Sequence, residues 1–140
     1  MANALYNKAR EKFLTGNLNW LTAPVKVLMV DTATYTFSGT HEFLSSISAA
    51  SRITEPVLLI DKTATDGAAD AKDATFAAVA GPTIEALVIY AEVLGAGDLP
   101  DDTASVLIAY IDSATGLPIT PNGGDVIVTW DNGVNKIFRL

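Results

Sequence analysis

The chain has no cysteine among its 140 residues and a single histidine. Disulfides, thiolate metal sites and cysteine nucleophiles are excluded, and an ordinary zinc site has too few nitrogen and sulfur donors to form. Charge is sparse at 18% of residues, and positive charge is sparser still: 9 Lys and Arg stand against 16 Asp and Glu, for a net charge of −7. The cations (Lys8, Arg10, Lys12, Lys26, Arg52, Lys62, Lys72, Lys136 and Arg139) are scattered, and only the first three lie close together. Nucleic-acid binding needs cations gathered against phosphates, so no nucleic-acid partner is expected. No apolar run is long enough to cross a bilayer, and no membrane partner is expected. Lys8, Arg10, Glu11 and Lys12 interrupt the N-terminal segment, which therefore does not read as a secretory signal. The chain is expected to remain in the compartment where it is made.

What the chain has is apolar content. Hydrophobic residues make up 49% of it. A chain of this length buries roughly two-thirds of its unfolded surface, so one core suffices. No internal repeat, low-complexity tract or linker divides the sequence, and a single domain spanning 1–140 is expected.

Leu5, Ala9 and Phe13 recur at four-residue spacing, with Tyr6 and Leu14 flanking the stripe, which predicts a helix over 4–14. Asn3 is its expected N-cap and Gly16 its left-handed terminator. The run 25–30 is β-branched and apolar on both faces, as in a central strand. Residues 34–37 alternate and predict a second short strand, and the spacing from His41 to Ile47 predicts a short helix over 41–48. Beyond Arg52 the pattern is strand and turn. Strands are expected at 57–60, 75–79, 84–93 and 105–111, a loop or ragged edge strand at 62–72, and an exposed loop at 95–102. Asp131-Asn132-Gly133 between the runs 125–130 and 134–140 predicts a closing hairpin, because Asn-Gly tolerates the positive φ that such turns require. Trp130, with either Ile137 or Phe138, is expected in the core. Short strands separated by frequent turns, with too few helices to cover a parallel sheet, predict a mainly β fold. The expected form is an antiparallel, jelly-roll-like sandwich or barrel with an N-terminal helix and one short helix.

Chemistry is hard to find. A hydrolytic triad would have to use His41, yet the nearby Ser38, Ser45, Ser46 and Ser48 do not lie in a nucleophile elbow. His41 is expected to face solvent at a helix start. The acidic groups Asp66, Asp70 and Asp73, and Asp98, Asp101 and Asp102, do not match a calcium-loop pattern. Gly95-Ala96-Gly97 and Gly123-Gly124 do not open helices, so they do not cradle phosphate. Spacing alone leaves carboxylate pairs for glycoside cleavage open, but a sugar cleft usually offers several aromatic platforms, and of the chain's two tryptophans, Trp20 and Trp130, the second reads as structural. No catalytic residue, cofactor or metal site is expected, and the chain reads as non-enzymatic.

The opening Met1-Ala2-Asn3-Ala4-Leu5-Tyr6-Asn7-Lys8-Ala9-Arg10-Glu11-Lys12-Phe13-Leu14 resembles the start of small virion proteins of tailed bacteriophages. So does Val25-Lys26-Val27-Leu28-Met29-Val30-Asp31-Thr32-Ala33-Thr34-Tyr35. The stretch Ala109-Tyr110-Ile111-Asp112-Ser113-Ala114-Thr115-Gly116-Leu117-Pro118 is similar too, continuing into Thr120-Pro121-Asn122-Gly123-Gly124-Asp125 and Thr129-Trp130-Asp131-Asn132-Gly133. The likeness spans most of the chain, is weakest over 62–103, and carries no functional residues with it. It implies a virion component assembled in the host cytoplasm. A capsid decoration (cement) protein is favoured, with a tail or neck protein as the alternative. It also implies homo-oligomers and partners such as the major capsid protein. Within that reading the expected contact residues are Leu5, Tyr6, Phe13, Trp20 and Leu21, since Trp and Tyr are common interface anchors. A small hydrolase using His41 and a carbohydrate-binding module are the readings from other classes. The second requires aromatic rings exposed on one face.

Overall fold

A computed structural model describes residues 3–140; Met1 and Ala2, at the start of the expected domain, lie outside it. The fold is mainly β, as expected. Among the described residues there are ten strands, all paired antiparallel, and one α-helix. The sheets are open rather than closed into a barrel, and their arrangement is sandwich-like.

The principal sheet is built on three six-residue strands: β2 (Val25–Val30), β7 (Ala86–Ala91) and β8 (Val106–Ile111). Two short strands, β1 (Ala4–Leu5) and β3 (Val57–Leu58), flank them, giving the order β1-β8-β7-β2-β3. Side chains alternate across a sheet, so the register divides the central strands into two faces. Val27, Met29, Leu87, Ile89 and Ala109 share one face; Leu28, Val30, Ala86, Val88 and Tyr110 share the other. All of these residues are buried. A sheet covered on both sides explains why its strands are apolar without alternation. A bulge in β8 leaves Ile108 without a partner on β7, and its carbonyl accepts the Tyr6 N–H at 3.0 Å.

The two faces have different covers. On the second, the ring of Tyr110 stacks on Phe37 at 4.7 Å and meets Tyr35 at 6.3 Å, so the irregular segment after β2 lies over it. On the first, Ala109 and Ile111 line a cavity together with Ile137 and Phe138 of the C-terminal segment. Two smaller sheets complete the fold. One has the order β10-β5-β4, from Phe138–Arg139, Ala68–Asp70 and Thr63–Thr65. The other pairs β6 (Ala74–Phe76) with β9 (Val126–Val128). Buried residues from all three sheets form one cluster.

Several local expectations are revised. The N-terminal segment is not one helix: Ala4 and Leu5 pair with Tyr110 and Ala109, and only α1 (Asn7–Leu14) is helical. Asn3 does not cap it. Its side-chain oxygen instead accepts the N–H groups of Asp112 and Ser113, fastening β1 to the end of β8. Gly16 does end the helix, at φ +76, with Gly16 N–H bonded to Phe13 and Asn17 N–H to Lys12 in a Schellman arrangement.

The segment 34–37 is not a strand. It turns off Asp31, whose carbonyl accepts the N–H of Thr34 and of Tyr35. The helix expected over 41–48 is replaced by two 3₁₀ turns, Leu44–Ser46 and Ala49–Ser51. Leu44 and Ile47 are both buried, and three-residue spacing suits a three-residue turn. The Arg52 guanidinium donates to the carbonyls of Leu44 and Ile47 and to Asp102, holding these turns against the base of the 95–102 loop.

The terminal hairpin does not form. β9 pairs with β6 and β10 with β5. Asp131 uses its carboxylate to accept the Gly133 N–H in a local turn. The tight hairpin is at Asp66-Gly67, where both residues have positive φ (52° and 80°) and join β4 to β5. Trp130 is buried as expected, its indole N–H donating to the Lys72 carbonyl at 3.2 Å.

Candidate functional site

The five expected contact residues separate into two groups. Tyr6 and Trp20 are buried within the chain, at 0% and 5% exposure, and do not offer rings to a partner. Tyr6 packs at 5.2 Å from the Phe37 ring, and its hydroxyl shares a 3.0 Å hydrogen bond with the Tyr35 hydroxyl. The Trp20 indole N–H bridges the carbonyls of Thr63 and Asp70 across the β4–β5 hairpin. Their aromatic surface is taken up by the chain's own core. Leu5 and Phe13 are half-buried, and Leu21 is exposed.

These three line a continuous apolar surface with residues the sequence did not single out. A groove of about 370 Å³ is lined by Leu5, Arg10, Phe13, Leu14, Arg139 and Leu140. A second, of about 300 Å³, shares Phe13 and Leu140 with it and extends to Leu21. The helix supplies one wall because Arg10, Phe13 and Leu14 stand at i, i+3 and i+4. The other wall is the C-terminal strand. Pairing of Arg139 with Ala68, and the Leu140 N–H bonded to the Gly67 carbonyl at 2.9 Å, carry Leu140 beside the helix. Leu14 is 89% exposed and Leu140 64%. Leu14 was legible as a residue flanking the helix stripe. Leu140 gave no local signal, because only the long-range pairing of β10 brings it here.

The groove is also positive. The Arg10 guanidinium makes no hydrogen bond or ion pair among the described residues, and that of Arg139 donates only to the Val134 carbonyl, at 2.7 Å. Two uncompensated guanidinium groups beside exposed leucines stand out in a chain of net charge −7. Such a surface favours an apolar partner segment that carries a carboxylate.

His41 does not sit at a helix start. It lies half-buried in a turn, its Nδ1 2.9 Å from the Tyr35 hydroxyl, and neither the Ser38 hydroxyl nor those of Ser45, Ser46 and Ser48 bond its ring. Burial raises the pKa of all four tyrosines, Tyr110 to about 12. The Asp101 carboxyl is held below its usual range by the Thr103 hydroxyl and N–H it accepts from, a local turn. No group of three or more His, Asp or Glu among the described residues is placed to hold a metal ion. Both tryptophans and all four tyrosines are buried, so none offers the exposed platform on which sugars stack. No helix of the described residues is long and apolar enough to cross a membrane.

Compared with known proteins, the chain matches no family model and none of the curated proteins.

Proposed function

We propose that this chain is a non-enzymatic structural subunit of a tailed-bacteriophage particle, specifically a decoration protein that binds the outside of the capsid through protein–protein contacts. The observation that carries the reading is the exposed apolar surface formed by Leu5, Phe13, Leu14, Leu21 and Leu140. Such contiguous surfaces on small domains mark interaction sites. The elements that build it, the N-terminal helix and the C-terminal strand, fall within or next to the stretches that resemble virion proteins. A subunit of this kind draws its affinity from buried area and needs no reacting groups.

The test is cryo-electron microscopy of the virion whose genome encodes the chain. Density on the outer face of the shell, repeating with the capsid lattice, is the expected result. Density confined to a ring at the neck or tail transfers the protein to the alternative structural role. Absence of the chain from purified particles, measured by mass spectrometry, overturns both.

A further inference from the structure

A second feature of the chain complements the groove between the N-terminal helix and the C-terminal strand. The loop between β7 and β8 projects Leu94 and Leu99, 50% and 67% exposed. It is held in shape by its own backbone. The Gly95 N–H bonds the Leu99 carbonyl at 2.7 Å, the Asp101 N–H bonds the Val93 carbonyl at 2.8 Å, and Leu94 bridges Pro100. Of its four carboxylates, Glu92 is paired with Lys26, Asp101 is used by Thr103 and Asp102 by Arg52, whereas the Asp98 side chain makes no hydrogen bond or ion pair among the described residues. The loop is thus a preformed apolar projection carrying one free negative charge. The groove is an apolar recess bearing the free guanidinium of Arg10 and the Arg139 guanidinium, which has no carboxylate partner among the described residues.

We propose that the groove between α1 and the C-terminal strand receives the 93–102 loop of a second copy of this chain, with Leu99 entering between Leu14 and Leu140 and Asp98 facing Arg10. This rests on the groove being a contact surface, as proposed above, and assigns that contact to self-assembly. The charges are opposite in sign, and the loop's fixed shape lowers the ordering cost of docking. No residue of the loop lines the groove of its own chain, so one copy can give a loop and accept another at the same time. That contact is head-to-tail, and its repetition closes a ring or extends a filament.

Light scattering of the purified chain after size exclusion provides the test. The expected mass is a multiple of the 14.7 kDa monomer. Arg10→Glu is expected to weaken self-association by about tenfold or more by setting like charges together. Asp98→Asn is expected to weaken it as well; asparagine suits the positive φ of 56° at this position. Combining Arg10→Glu with Asp98→Arg should restore the larger mass. All these side chains are exposed, and unchanged circular dichroism and melting temperature confirm that the variants are folded. A monomeric wild type overturns the proposal. So does a multimer that either single variant leaves intact, or one that the charge-swapped pair fails to restore. If the wild type is monomeric but Arg10→Glu abolishes binding to undecorated capsids, the groove belongs to the shell. The inference then falls while the decoration role stands.

Discussion

Trp20 and Phe138 meet edge to face, with ring centroids 5.2 Å apart and planes at 84°. Residues near the two ends of the chain are thereby joined under the groove, and Phe13 stands 6.0 Å from the same Phe138 ring. Phe138→Ala removes both aromatic contacts and the floor shared by the two walls. It is expected to cost about 2–3 kcal/mol, the lower part of the range for large-to-small changes because Phe138 is half-buried. Urea unfolding followed by tryptophan emission measures this. The same variant should show a red-shifted folded-state spectrum as Trp20 gains water.

The hydroxyls of Tyr6 and Tyr35 and the Nδ1 of His41 form a chain of two hydrogen bonds, of 3.0 and 2.9 Å. Each link is satisfied when Tyr6 donates to Tyr35 and Tyr35 donates to an unprotonated Nδ1. Neutral His41 is therefore expected to carry its proton on Nε2, which nitrogen chemical shifts report directly. Tyr35→Phe strands the fully buried Tyr6 hydroxyl and should cost about 2–3 kcal/mol, whereas Tyr6→Phe removes only a donor and should cost about 1 kcal/mol. The double variant should be at least as stable as Tyr35→Phe alone, because it contains no stranded hydroxyl. Strict additivity in denaturant unfolding would contradict the chain.

Alkali should unfold this protein cooperatively. All four tyrosines are raised by burial, which favours the neutral phenol in the folded state. The unfolded chain ionises its tyrosines near pH 10 (about 10 for an unperturbed phenol), while the folded chain keeps its protons. From there upward the folded state binds more protons than the unfolded, so stability falls as pH rises. Below that range this contribution is fully present. Tyrosinate absorbance should appear in step with loss of circular dichroism. Four independent titrations near the ordinary value, with the fold intact, would contradict the burial.

The parts of this fold that were legible in the sequence are those whose signal is local. The strands β2, β7 and β8 could be read because a strand buried on both faces is an unbroken apolar run. Trp130 could be placed because Val126, Val128 and Trp130 alternate with exposed Ile127 and Thr129. What alternation cannot state is which strand pairs with which. Asn132-Gly133 satisfies a hairpin turn locally, yet β9 is drawn to β6. There the Asp73 carboxylate accepts the Trp130 N–H, and that of Asp125 accepts the Ala78 N–H. The Asp66-Gly67 turn carries the same chemistry and does form a hairpin, between arms of Ala and Thr whose low hydrophobicity hid them. The contact surface was half legible for the same reason. Phe13 and its helix neighbours share a local face, but Leu140 reaches them only through pairing with residues some seventy positions earlier in the chain.

That pairing makes Gly67 a sharper test than Gly16, although both have φ near +80°. A methyl group on Gly16 meets nothing within 4 Å, so Gly16→Ala carries the backbone cost alone, about 1 kcal/mol. A methyl group on Gly67 lies 3.3 Å from the Leu140 carbonyl oxygen. Gly67→Ala therefore carries the same backbone cost and also presses on the last residue of the chain, whose N–H bonds the Gly67 carbonyl. It should be the more destabilising of the two and should shift the amide resonances of Phe138 to Leu140 and of Leu14 across the groove. Gly16→Ala should leave the C-terminal resonances in place. Equal losses of stability for the two variants, with no change at Leu140, would detach the C-terminal strand from the hairpin and remove one wall of the groove.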